Sequence, residues 1–239
     1  MHRFYVDQLV GTQAELSRED IHHAWKVLRL SAGDKVELIC HGERYEAVLR
    51  DNGIAEVLKI LPPTEAGLQI TLFQGLPKSD KMDWIVQKAV EIGVVRIVPV
   101  IMARCVVRVS PQDGEKKHLR WAKIAREAGK QSGRCLLPEI LPPVPLSSVL
   151  DLSVGLDACI VPWEESSSIG PGKFVAAHPD LSSLGILIGP EGGIESSEIC
   201  SLKPVFQPIT LGPRILRTET AGLVACAAMM ALRGEMEGA

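Results

Sequence analysis

From Ile70 onward, apolar runs of strand length alternate with segments of helical period, and this alternation restricts the fold more than any other feature. Ile70–Phe73 reads as a strand. Over 79–92, Met82, Ile85, Val86, Ala89 and Val90 recur at helical spacing; Ser79 is placed to cap that helix and Gly93 to end it. Val94 to Met102 is almost continuously apolar, the pattern of a strand covered on both faces. A second helix is predicted from about Gly114 to Gln131. Short strands follow near 156–161, 184–188 and 205–211, with helices starting near Ile194 and Thr218. Strands that alternate with helices predict a mostly parallel sheet flanked by helices, an α/β domain.

The first stretch has a different period. Lys35–Cys40 and Arg44–Leu49 alternate polar and apolar residues around His41 and Gly42, which predicts a hairpin, and Ile54–Ile60 reads as a third strand. Ile21, Ala24, Val27 and Leu28 mark a short helix within 20–30. Several short strands with turn signals predict a small barrel. The proline- and glycine-rich break at 61–67 separates the two patterns, so domains are expected at 1–66 and 67–239.

Charge is uneven. The chain carries −3 in all, yet residues 76–134 sum to +7 and residues 135–239 to −7. A basic centre between acidic ends is either a polyanion footprint or a solvated lysine- and arginine-rich helix face. Cys40, Cys105, Cys135, Cys159, Cys200 and Cys226 are scattered with no C-x-x-C pair, which predicts free thiols and no metal site. No apolar run of membrane-spanning length and no secretory leader pattern is visible, so a cytoplasmic protein without a membrane segment is expected.

In open α/β sheets ligands bind beyond the carboxyl ends of strands. Three such ends stand out: Ile160–Glu165, Leu187–Gly193 and Ile209–Thr220. In the second, Gly189, Gly192 and Gly193 leave room for a ligand to approach the backbone. The spacing is neither G-x-G-x-x-G nor a P-loop, which weakens nicotinamide and nucleoside triphosphate readings. In the third, Arg214 and Arg217 flank Ile215 and Leu216 ahead of a helix rich in small residues.

Leu187-Ile-Gly-Pro-Glu-Gly-Gly193, taken with Leu211-Gly-Pro-Arg-Ile-Leu-Arg-Thr-Glu-Thr-Ala221, resembles the signature of the 16S rRNA (uracil-N3) methyltransferase E family of the knotted SPOUT class. His22–Leu30 with Gly33-Asp34 is similar to that family's N-terminal barrel. Pro77–Met82 and Gln87–Gly93 are similar to its first catalytic-domain helix. The matches run in order along nearly the whole chain. The sequence departs from the pattern at Lys130, where Glu is expected, and at Cys135 and Leu136, where Asn and Arg are expected.

The resemblance implies a PUA-like barrel, an α/β trefoil-knot domain, a homodimer, S-adenosylmethionine as cofactor and 16S rRNA of the small ribosomal subunit as substrate. It implies a cofactor pocket built from Pro162, Leu187, Ile188, Gly189, Glu191, Gly192, Gly193, Leu211, Gly212, Ile215 and Leu216. Arg217 is expected to stabilise negative charge on the uracil carbonyls. Glu219 is a candidate base, orienter of Arg217 or simple helix cap, and Arg134 is a third catalytic candidate. His22, His23, Lys26 and Arg29 in the barrel, and Lys116, Lys117, Arg120, Lys123 and Arg126 on the basic helix, are candidate RNA contacts. Two alternatives stand beside this reading: a knotted methyltransferase for another RNA base, and a non-catalytic RNA-binding dimer.

Overall fold

The computed structural model of the chain describes residues 1–165 and 169–237. Residues 166–168 and 238–239 of the expected 67–239 domain lie outside the described residues. The chain divides into two compact units, residues 1–65 with 129–136 and residues 66–128 with 137–239.

The first unit is a five-stranded sheet in the order β1-β3-β4-β5-β2, made of β1 (His2–Tyr5), β2 (Gln13–Glu15), β3 (Lys35–Cys40), β4 (Glu43–Leu49) and β5 (Ile54–Leu61). The end strands β1 and β2 are not paired with each other among the described residues, so the barrel is an open half-barrel. His41 and Gly42 both adopt positive φ, as the two central residues of a tight twisted hairpin must. Helix α1 (Arg18–His22) is capped by Ser17, whose Oγ accepts from the Asp20 N–H at 3.1 Å. It continues into a π-turn at His23–Val27. Phe4, Ala24, Leu38 and Leu49 form the core. Strands β1 and β2 were not predicted, because three or four residues are too few to show a period.

The second unit holds a wholly parallel sheet in the order β12-β10-β11-β6-β7-β8, with β9 also on β7. Its elements in chain order are β6 (Gln69–Gly75), α2 (Lys81–Ile92), β7 (Arg96–Ile101), α3 (Pro111–Ser132), β8 (Glu139–Ile140) and β9 (Val144–Pro145). Then come α4 (Ser147–Leu152), β10 (Ala158–Pro162), α5 (Pro171–Ala177), β11 (Ser183–Ile188), α6 (Ser196–Leu202), β12 (Phe206–Ile209) and α7 (Thr218–Leu232). One face of the sheet packs on α2, α3, α5 and α7 through Ile85, Val86, Trp121, Phe174, Cys226 and Met229. The other packs on α4 and α6 through Phe73, Val149, Ile199 and Phe206.

Beyond β11 the chain passes β10 to reach the sheet edge at β12, then doubles back as α7 onto β6, β11, α2 and α5. Along this path the Trp163 N–H donates to the Ile209 carbonyl at 3.1 Å and the Thr210 N–H to the Ile169 carbonyl at 2.9 Å. Gly222 lets α7 lie close on the sheet, for a side chain there would come 3.2 Å from Gln74 Oε1. The small residues of this helix thus serve packing within the unit.

Several expectations are corrected. Ser79 does not cap α2: its φ is +55°, and Asp80 stands at the cap position. Gly93, at φ +111°, does end that helix. Ile194 does not open α6; its side chain is buried, and the helix starts two residues later with Glu195 and Glu198 as a reciprocal capping box. Helices α4 and α5 were not predicted, being six and seven residues long with few buried positions. All six cysteines are free, and Cys40, Cys135, Cys159 and Cys226 are buried. No helix of the described residues is long and apolar enough to cross a membrane.

Candidate active site

The three strand ends singled out in the sequence meet. Residues 162–164, 188–194 and 210–218, with Lys81 and Ala221, line one cavity of about 820 Å³ at the carboxyl ends of neighbouring β10, β11 and β12. That volume lies in the range of small-molecule sites, roughly 300–1,000 Å³. The glycines shape it sterically. A Cβ on Gly189 would stand 2.6 Å from Ile194 Cγ1, and one on Gly192 would stand 2.8 Å from Arg104 Cβ. Gly193 and Gly212 have φ of +74° and +100°, which side chains rarely adopt, and nothing lies within 4 Å of where a Gly212 side chain would start. Backbone polar groups of these loops are therefore open to a ligand at close range.

Buried hydrogen bonds hold the loops in register. Gln74, fully buried at the end of β6, donates through Nε2 to Thr218 Oγ1 at 2.9 Å. Thr218 Oγ1 in turn donates to the Gly189 carbonyl at 2.6 Å. Gly75 lets the two strand ends touch, since a Cβ there would fall 2.7 Å from the Pro190 nitrogen. Arg104 Nη1 clasps the glycine loop from outside by donating to the Gly192 carbonyl at 3.0 Å.

Lys81, the first residue of α2, reaches the cavity with Nζ 3.0 Å from Glu191 Oε1 and 3.0 Å from Glu219 Oε2. These two carboxylates raise its pKa above the ordinary lysine value. Burial works against the Glu191 charge, but hydrogen bonds from Lys81 and from the Lys78 N–H at 3.1 Å outweigh it and lower its pKa. Burial likewise opposes the Glu219 charge; its own backbone N–H, Lys81 and Arg217 outweigh burial, and its pKa is lowered as well. Arg217 is exposed at the cavity wall; its carbonyl accepts from the Thr220 and Ala221 N–H groups at 2.8 Å, while its guanidinium forms no hydrogen bond or salt bridge among the described residues and acts on Glu219 through its charge alone. Ile215, 88% exposed, is a large apolar side chain presented to solvent at the mouth.

Of the residues proposed from sequence for the pocket, Pro162, Ile188, Gly189, Glu191, Gly192, Gly193, Leu211, Gly212, Ile215, Leu216 and Arg217 all line the cavity. Leu187 does not: its side chain points into the core with Phe73 and Val161 because strand side chains alternate faces. Glu219 is not on the wall either and reaches it only through Lys81. Arg134 lies in the first unit, buried, with Nη2 2.7 Å from Glu65. Its guanidinium is an internal tie there, beside Tyr5 Oη, which donates to the Arg134 carbonyl at 2.8 Å. Arg214, noted in the sequence beside Arg217, lines the cavity too, and Lys81, Trp163, Glu164 and Thr210 line it without having been named individually. Trp163 and Glu164 belong to a strand end already noted, whereas Lys81 carried no signal beyond its place in a helix start.

The RNA candidates are distributed over both units. His22, His23, Lys26 and Arg29 are all exposed on and after α1, where the π-turn brings them out while Ala24 and Trp25 pack inward. On α3, Lys116, Lys123 and Arg126 are exposed, and Lys117 lies 6.0 Å over the Trp121 ring. Arg120 is committed locally, paired with Asp83 and, at 3.5 Å, with Asp80. Lys130, a departure from the family pattern, meets buried Asp20 at 3.1 Å. No group of three His, Cys, Asp or Glu able to hold a metal occurs among the described residues.

Known proteins share this arrangement. Residues 64–230 match the model of an RNA methyltransferase domain, and residues 16–61 match that of an RNA methyltransferase PUA domain. The ribosomal RNA small subunit methyltransferase E of Bacillus subtilis is 35% identical, over 96% of each chain. The crystal structure of a ribosomal RNA small subunit methyltransferase E from Neisseria gonorrhoeae bound to S-adenosyl methionine is similar at TM-score 0.83 and 32% identity, covering 97% of this chain and 98% of that one. A Legionella pneumophila structure in complex with the bound cofactor SAM is similar at TM-score 0.82 and 29% identity, over 96% of each chain. The expected fold class therefore holds: a PUA-type half-barrel followed by a parallel α/β unit of the SPOUT methyltransferase kind.

Proposed function

Since the chain belongs to the ribosomal RNA small subunit methyltransferase E family of RNA methyltransferases, we propose that it methylates N3 of one uridine in 16S rRNA, using S-adenosylmethionine. The observation that carries this reading is the convergence of both motif loops on one cavity, with Arg217 exposed at its wall.

The cavity fits the cofactor. Pro162, Trp163, Ile188, Leu211 and Leu216 offer apolar surface for a flat base, the glycine turns present backbone donors and acceptors, and Glu164 suits a cationic ligand, Glu191 being held by Lys81. When bound, the cofactor supplies an activated methyl group on a sulfonium. The protein then has to orient the acceptor and ease loss of the N3 proton. The loops at 188–194 and 210–218 orient, because their positions are locked by the Gln74–Thr218–Gly189 bonds. Arg217 places a permanent positive charge where the uracil carbonyls become negative as N3 gives its proton to solvent and forms its bond to the methyl carbon.

Exposed His22, His23, Lys26 and Arg29, together with Lys116, Lys117, Lys123 and Arg126, are our candidates for phosphate contacts. Arg120 contributes less, because Asp83 already neutralises it. We assign Arg134 to holding residues 129–136 in the first unit, not to catalysis. A homodimer working in the cytoplasm, where this substrate is made, completes the reading. Nucleoside mass spectrometry of small-subunit rRNA tests it: a strain lacking the gene should lose one 3-methyluridine, and the purified protein should restore it. Retention of that nucleoside in the deletion strain would remove the assignment.

A further inference from the structure

We propose that Lys81 is a positioning residue for methyl transfer: by pairing with Glu191 and Glu219 together, it fastens the glycine loop to the first turn of α7 and keeps Glu219 from capturing Arg217. The inference rests on the methyltransferase reading of this cavity. Three walls meet at one ammonium group. Glu191 belongs to the loop after β11, Glu219 to α7 and Lys81 itself to α2, and each carboxylate is 3.0 Å from Nζ.

The charges around this group define its task. On its own helix, Asp80 and Asp83 are turned to Arg120. From the glycine loop comes Glu191, fixed in addition by the Lys78 N–H. From the approach to α7 come Glu219 and Arg217, two residues apart, and Arg214 and Glu164 line the same cavity. Arg217, whose charge Glu219 already senses, is the next cation beside it in the chain, and Lys81 leaves that carboxylate satisfied without it. Without the ammonium, two carboxylates that share a site repel each other, and one of them keeps its proton to a higher pH than it does beside Lys81. Glu219 would also draw Arg217 out of the cavity. A carboxylate engaged and ionised in this way is a poor proton acceptor, so Glu219 acts as a partner of Lys81 and not as the general base.

The test uses small ribosomal subunits that lack the modification, single-turnover methyl transfer and calorimetric titration with S-adenosylmethionine, with thermal melting of each variant. Lys81→Met should slow transfer at least about tenfold, while Lys81→Arg, which keeps the charge, stays within about threefold of wild type. Cofactor affinity of Lys81→Met should become pH-dependent between about pH 5 and 7, below the titration of the cofactor's own amino group, where that of wild type is flat. Adding Lys81→Met to a Glu219→Gln background should cost less than it costs alone, since the carboxylate it restrains is already neutral. Equal rates and equally flat affinity profiles for wild type and Lys81→Met would overturn the inference, as would a loss that Lys81→Arg does not restore or a fully additive double variant. If Lys81→Met fails to melt cooperatively, Lys81→Arg against Lys81→Gln repeats the comparison under the same criteria. Absence of both cofactor binding and transfer in the wild-type protein would instead overturn the methyltransferase reading.

Discussion

Single residues in this protein act through space they leave open as much as through groups they carry. Gly189 stands over Ile194 with no room for a methyl group. Gly189→Ala must therefore push the loop outward, and overpacking of this kind costs about 1–3 kcal/mol. We expect weaker S-adenosylmethionine binding in a calorimetric titration, with melting lowered by roughly 2–12 °C. Arg217 is the opposite case, a long exposed side chain that makes no side-chain hydrogen bond or salt bridge among the described residues and touches Glu219 only through its charge. Arg217→Ala should cut turnover by about 10²–10³, the cost of removing one preorganised donor. Cofactor affinity should stay within a few-fold, and loss of both together would mean that the arginine holds the cofactor. Both residues were legible in the sequence, because a Gly-Pro-Glu-Gly-Gly turn and an Arg-x-x-Arg approach are local patterns. Lys81 was not, because its meaning comes from Glu191 and Glu219, which lie far along the chain.

Among the elements, α3 carries six basic and three acidic residues, +3 of the +7 surplus of residues 76–134, on a helix that buries only Trp121, Ala125 and a few small residues. Its exposed lysines read polyanion charge without base specificity. Replacing Lys116 and Lys117 with Gln should weaken RNA binding and make log K against log salt shallower by about 1.4, the share of two phosphate contacts on single-stranded RNA. The same change at Arg120 should move the slope less, because Asp83 already takes its charge. An unchanged slope for the lysine pair would take this helix out of the footprint. The long elements were the readable ones: α2, α3, α7 and the strands of the central sheet repeat their period often enough to be seen. The short ones, β1, β2, α4 and α5, form because neighbours bury one or two of their residues, which no local period announces.

At the scale of the whole molecule, ion pairs distribute pH sensitivity over both units. Burial opposes the charge on Glu37, but hydrogen bonds from Arg44 and Arg3 outweigh it and lower its pKa; Glu191 and Glu219 are lowered as well. A lowered carboxylate stabilises the fold fully above its ordinary pKa, about 4.3 for Glu, and that contribution is lost as pH falls through the folded-state value. Melting temperature should therefore hold from neutral pH down to about 5 and decline below about 4.3, and a Glu37→Gln variant should decline less steeply. A profile that is flat down to pH 3 would remove these pairs from the stability balance. The order of apolar and polar residues by itself determined that the chain has a β-rich first part and a parallel α/β second part, and which turns could accept a ligand, because periodicity and glycine content are properties of neighbouring residues. Only the tertiary structure decided that β12 crosses beyond β10, that residues 129–136 belong with the first unit, that Arg134 is an internal tie and that Lys81 sits between two carboxylates. Those outcomes depend on contacts between residues tens to more than a hundred positions apart, and such contacts follow from how buried surfaces pack, which no local pattern encodes.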